Sequence, residues 1–98
     1  VSTSKGYLVG ETVVLTLTLA DPVTREPVDA TTVTLVSLVR AYPLDITGLS
    51  VVHDGLGLYH VDVNTTGFVP GKYTWVMKAA DSMGRATIVE DYFVLAAV

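Results

Sequence analysis

Thr12-Val13-Val14-Leu15-Thr16-Leu17-Thr18-Leu19-Ala20 places Val13, Leu15, Leu17 and Leu19 on one side of an extended chain, and Val14, Thr16 and Thr18 on the other. Side chains alternate between the two faces of a strand, so this period of two reads as a strand with one apolar face turned to a core. The same reading extends outward in both directions. Residues 33–39, 49–53, 58–64, 72–80 and 85–95 are also strand-like, with turn chemistry between them. Tyr59, Val61 and Val63 share one face, as do Tyr73, Trp75, Met77 and Ala79, and Phe93 with Leu95. Asp21-Pro22 and Glu26-Pro27 bracket a loop, because proline cannot donate to a strand ladder and restricts the residue before it. Asp54-Gly55-Leu56-Gly57 reads as a tight hairpin turn, and a bulge near Glu90-Asp91 is expected to reconcile the two halves of the last strand. Six antiparallel strands result, or seven if residues 5–9 pair at an edge, and residues 1–6 otherwise read as an extended N-terminal arm.

Composition agrees with an all-β chain. The 98 residues include 18 Val and 13 Thr, β-branched types that favour strands, and no stretch of ten or more positions has helical apolar spacing. A chain this short supports one core and hence one domain, residues 1–98. Half of the residues are hydrophobic and only 16% are charged, against about 25% in ordinary soluble domains. Mean hydropathy is +0.51.

Membrane insertion is not expected. A spanning helix needs about 18 consecutive apolar residues, whereas residues 33–39 are interrupted by Thr34 and Ser37 and closed by Arg40. A lipid-facing barrel of about eight strands of about ten residues leaves too little chain for turns. The opening Val1-Ser2-Thr3-Ser4-Lys5 is polar, without the apolar run of a secretory leader. The net charge of −4 and the scattering of the six basic residues argue against nucleic-acid binding. Absence of cysteine removes disulfides, thiolate metal sites and cysteine nucleophiles.

Several motifs resemble a known group. Tyr7-Leu8-Val9-Gly10-Glu11-Thr12-Val13 resembles the opening of many bacterial and macroglobulin-type sandwich domains, and Asp54 through Val61 resembles their central hairpin. Gly67-Phe68-Val69-Pro70-Gly71-Lys72-Tyr73 resembles the loop before the sixth strand of fibronectin type III domains. That resemblance implies that the Tyr73 hydroxyl fastens the corner. Pro27-Val28-Asp29-Ala30-Thr31-Thr32-Val33-Thr34-Leu35, residues 57–63 and 70–75, and Phe93-Val94-Leu95 together resemble the small immunoglobulin-like domains of tailed-phage virion proteins. The implied fold is an immunoglobulin-like β-sandwich. The implied role is a non-catalytic structural subunit (capsid decoration, head- or tail-associated) that binds neighbouring virion proteins or copies of itself. The alternative is an immunoglobulin-like module of a bacterial surface or secreted protein, working in adhesion or carbohydrate binding. The connection Arg40-Ala41-Tyr42-Pro43-Leu44-Asp45-Ile46-Thr47-Gly48 is longer and more apolar than in such relatives.

Chemistry-bearing patterns are sparse. His53 and His60 flank the hairpin and, with His53 opposite Leu58, fall on one face with Asp62 nearby. This pair reads either as a metal or pH-sensitive site or as two solvated histidines. The second reading is preferred, because a metal site needs third and fourth ligands. Asp21, Asp29, Asp54, Asp81 and Asp91 lie at turns and read as caps of their own backbone. There is no nucleophile-elbow, phosphate-loop or dinucleotide pattern, and neither catalysis nor a cofactor is expected. Tyr7, Tyr42 and Tyr92 read as exposed rings available to a sugar. Tyr59, Tyr73, Trp75 and Phe93 read as core.

The anomaly is apolar residue on the outward sides. Alternation assigns Val14, Val36, Leu38, Val52 and Val76 to the faces opposite the core, where polar residues are usual. With Tyr42, Pro43 and Leu44 beside them, Val36, Leu38, Val52 and Val76 are expected to form one interface within a larger assembly.

Overall fold

The computed structural model describes residues 6–81 and 84–98. Seven strands follow one another: β1 (Gly6–Leu8), β2 (Thr12–Thr18), β3 (Thr32–Val39), β4 (Val51–Gly55), β5 (Leu58–Asn64), β6 (Gly71–Ala80) and β7 (Ala86–Ala96). They form two sheets, a four-stranded one in the order β1-β7-β6-β3 and a three-stranded one in the order β2-β5-β4. Of the arm expected over residues 1–6, Gly6 opens β1 and the rest lies outside the described residues. Among the described residues no helix is long and apolar enough to cross a membrane.

The two sheets face each other over the rows that alternation had marked. Val13, Leu15 and Leu17 of β2, with Leu19 just beyond it, meet Tyr73, Trp75, Met77 and Ala79 of β6 and Phe93 and Leu95 of β7. Tyr59, Val61 and Val63 complete the floor. Each large side chain removed from water in this way contributes roughly 1.5–3 kcal/mol, which is why the period-two rows face inward. Tyr73 stacks between Phe68 and Phe93, with ring centroids at 5.5 and 5.2 Å. Its hydroxyl donates to the Val69 carbonyl at 2.5 Å and ties the loop to the strand start. Thr65 is fully buried, so its hydroxyl needs partners. It donates to the Glu11 carbonyl at 2.6 Å and accepts from the Gly10 N–H at 2.9 Å, fastening the β1–β2 turn to the end of β5.

Four expectations need correction. The β1–β7 pair is parallel, so the strands are not all antiparallel. The β6–β7 ladder runs unbroken from Gly71↔Leu95 to Ala80↔Ala86, so there is no bulge at Glu90-Asp91. The bulge sits instead in β3, between Leu35 and Ser37. Leu38 therefore turns inward, at 1% exposure, and is a core residue rather than an outward one. An extra residue in one strand moves every later side chain to the other face. The last correction concerns the start of β4. It begins at Val51, because Ile46 and Leu49 are used by a turn in which the Leu49 N–H bonds the Ile46 carbonyl.

Candidate interaction surface

The outer face of the four-stranded sheet is built by the residues that alternate with the core rows. β6 presents Lys72, Thr74, Val76 and Lys78, and β7 presents Ile88, Glu90, Tyr92 and Val94. Register sets them in rows: Lys78 beside Ile88, Val76 beside Glu90, Thr74 beside Tyr92, and Lys72 beside Val94. β3 adds Val36, the bulge residue, next to Ser37 opposite Val76. Val36 is 52% exposed and Ile88 65%, while Val76 is half-buried among its neighbours. The Lys72 ammonium lies 4.5 Å from the centre of the Tyr92 ring, so its charge sits over an aromatic face at the rim. Two lysines against one glutamate make this face locally positive on a chain of net charge −4.

The seven residues expected to form one interface do not come together. Val36 and Val76 share this face. Val52 is exposed on the outer face of the other sheet, opposite His60 of β5. Leu38 is in the core between the sheets. Tyr42 and Pro43 are exposed on the β3–β4 connection, where Pro43 bridges to Val39. Leu44 packs half-buried against the core, its N–H bonded to the Leu38 carbonyl at 2.9 Å. Ile88, Tyr92 and Val94 complete the patch and were missed as interface residues. Alternation with Phe93 and Leu95 already turns Tyr92 and Val94 outward, whereas the bulge expected at Glu90-Asp91 hides the face of Ile88.

The histidines are separated as well. His53 pairs with Tyr59, not Leu58, and stacks on that ring at 4.6 Å, while its Nε2 contacts Asp29 at 2.9 Å. His60 points to the opposite face, with Nδ1 2.6 Å from Asp54 and Nε2 3.4 Å from Asp62. The hydrogen bond to Asp54 raises the His60 pKa above its ordinary value, assisted by the charges of Asp54 and Asp62 and opposed by partial burial. Among the described residues no group of three or more His, Asp or Glu side chains is arranged to hold a metal ion. Asp21 caps the Thr24 and Val23 N–H groups, which lower its pKa. Asp29 instead reaches across to the Gly57 N–H, the main cause of its lowered pKa, with His53 adding to it.

A cleft of about 620 Å³ opens at one end of the sandwich, with Leu19, Pro22 and Ala79 in its wall. Its charged groups are already engaged, Arg85 Nε bonding Asp81 at 2.9 Å. None of the tyrosines expected to stack on a sugar lines it. Tyr7, expected to be exposed, packs edge-on against Phe93 at 6.2 Å and is half-buried. Comparison of the chain with protein-family models, with curated proteins and with solved structures gives no match.

Proposed function

We propose that the chain is an immunoglobulin-like sandwich that works as a non-catalytic structural module, docked through the outer face of its four-stranded sheet onto neighbouring subunits of a virion. The observation that carries the docking role is the set of apolar side chains Val36, Val76, Ile88, Tyr92 and Val94 gathered on one outer face over three neighbouring strands, interleaved with Lys72, Thr74, Lys78 and Glu90. Burying several such side chains is a usable source of binding free energy, and a large exposed apolar patch marks an interaction site. The immunoglobulin-like reading is supported by strand order. The β7-β6-β3 and β2-β5-β4 neighbourhoods follow the two halves of that sandwich, and the Tyr73 hydroxyl on the Val69 carbonyl follows its tyrosine corner. The buried tryptophan stands on β6 rather than on the third strand of that pattern, which leaves the corner and the strand order as the support. The virion setting rests on the motif resemblance of residues 27–35, 57–63 and 70–75.

The test is labelling of particles. An antibody to the chain is expected to decorate intact virions in electron micrographs. Joint substitution of Val76→Glu and Ile88→Glu is expected to abolish incorporation while leaving the Tm of the free domain within a few degrees. Particles that carry no label, or that incorporate the double variant as well as the parent, refute the reading.

A further inference from the structure

β2 is the end strand of its sheet, and its hydrogen-bonding parity can be read directly. The Leu19 N–H donates to the Gly57 carbonyl, and the Thr65 N–H to the Glu11 carbonyl. With the register Val13↔Val63, Leu15↔Val61 and Leu17↔Tyr59, the odd-numbered residues exchange hydrogen bonds with β5. In an antiparallel ladder such pairs alternate with residues whose N–H and C=O point the other way. Thr12, Val14, Thr16 and Thr18 therefore present their backbone groups along the open edge. Among the described residues no strand pairs with them.

The other edges are guarded in ways that natural sheets use against pairing. β1 has three residues. β3 is interrupted by the bulge at Val36 and folded over by the Val39–Pro43 bridge. β4 has five residues and its own register shift between His53 and Gly55. The flank of β7 beyond β1 carries Asp91 in the inward row with Phe93 and Leu95. β2 has seven residues, all Thr, Val or Leu, with no lysine, proline or bulge. A groove of about 90 Å³ lies beside Val14 and Thr16, with Tyr7, Trp75 and the β7 residues Asp91, Tyr92 and Phe93 in its wall.

We propose that β2 pairs antiparallel with β2 of a second copy about a two-fold axis at Leu15, joining the three-stranded sheets into one of six strands. The chemistry of the edge selects its own copy. In this register Thr12 faces Thr18 of the second copy and Val14 faces its Thr16, each pair exchanging two backbone hydrogen bonds, about eight in all. On the inner side Leu15 meets Leu15, and Val13 meets Leu17. Thr–Thr and apolar cross-strand pairs are favourable, and like charges opposite each other are not. On a chain of net charge −4, this uncharged stretch lets two copies approach without a like-charge pair. The contact is isologous and closes at the dimer. It shares no strand with the outer-face docking proposed above, and of the residues named for that face only Tyr92 borders the groove beside β2.

The experiment combines sedimentation with amide exchange by NMR on the purified chain. The parent is expected to dimerise, and the Val14 and Thr16 amides to gain protection as concentration rises, while the Leu15 amide is protected throughout. Val14→Lys with Thr16→Lys is expected to weaken the dimer at least about tenfold, and Val14→Glu with Thr16→Glu likewise. An equimolar mixture of the two is expected to restore a heterodimer, which also shows that both are folded. The Val76→Glu, Ile88→Glu variant is expected to dimerise like the parent, so failure of outer-face docking is read separately. A parent that stays monomeric at millimolar concentration overturns the proposal, as does a dimer indifferent to the edge charges. So does protection of Val14 and Thr16 in the dilute monomer, because the edge is then already covered.

Discussion

Replacing Leu38 and Val36 by alanine, one at a time, measures the bulge in β3. Strict alternation over this strand turns both side chains outward, and both substitutions would then be mild. The structure separates them: Leu38 is 1% exposed among Trp75 and the other core residues, and Val36 is 52% exposed. A buried Leu→Ala change costs about 2–5 kcal/mol, the sum of lost transfer free energy and the cavity left behind. With a cost of about 3 kcal/mol and a urea m-value of about 1.5 kcal/mol/M, the Leu38→Ala midpoint falls by about 2 M. In thermal melts this is a drop of roughly 12–24 °C, since about 1 kcal/mol moves Tm by 4–8 °C in a domain of this size. Val36→Ala stays within about 0.5 kcal/mol, as for other exposed positions. Deleting Val36 outright is the sharper variant. It is the residue without a register partner, so its removal leaves Leu35 opposite Met77 and Ser37 opposite Val76 in a regular ladder. Deleting Thr34 instead displaces Val33 and Thr32 to the wrong faces. The expected order of stability is parent and Val36→Ala together, the Val36 deletion next, and the Leu38→Ala and Thr34-deletion variants far below. Equal midpoints for Leu38→Ala and Val36→Ala, or a larger loss at Val36, refute the bulge and return Leu38 to the surface.

Tyr73→Phe removes the hydroxyl that holds the Val69 carbonyl and is expected to cost about 1 kcal/mol in urea unfolding, with no change in fold by circular dichroism. Gly57 has φ +71°, and an added Cβ lies 2.6 Å from the Leu19 carbonyl oxygen, so Gly57→Ala is expected to cost more than about 2 kcal/mol. Gly10→Ala has similar backbone strain at φ +101° but nothing within 4 Å, so the difference between the two melts isolates the clash. His60 has a folded pKa raised above its ordinary 6.5, so the protonated ring favours the native state. That contribution is complete below pH 6.5 and is lost as pH rises through the folded value. Tm measured at low salt is therefore expected to fall across this window more steeply in the parent than in His60→Gln.

Period-two patterning is a local property, and it was enough to place the rows of β2, β5 and β6 and the ends of β7 against a core. Each of those rows needs only the pleat of its own strand to point the right way. Tyr73 was legible for a related reason, since its partner at Val69 is four residues away. The bulge in β3 was not legible. With Val, Leu, Val, Leu and Val spread over both parities of residues 33–39, either face satisfies burial, and the ladder with β6 decides where the extra residue sits. The pairing of the histidines was equally closed to inspection. A register shift between His53 and Gly55 moves His53 onto Tyr59 and leaves His60 with Asp54 and Asp62 on the far side.

By itself the sequence determined an all-β chain, its core rows, and the presence of more outward apolar surface than a free domain needs. Only the tertiary structure decided which of those outward residues are neighbours. The connection between β3 and β4 crosses from one sheet to the other, so Val76 and Val52 end on opposite outer faces with the core between them. Ile88, Tyr92 and Val94, distant in sequence from Val36, arrive on the same outer face, across β6 from it, through the β3-β6-β7 order. Alternation sets the face of a residue within its own strand, and strand order across a sheet sets its company. The second depends on contacts distant in sequence, which no local pattern encodes.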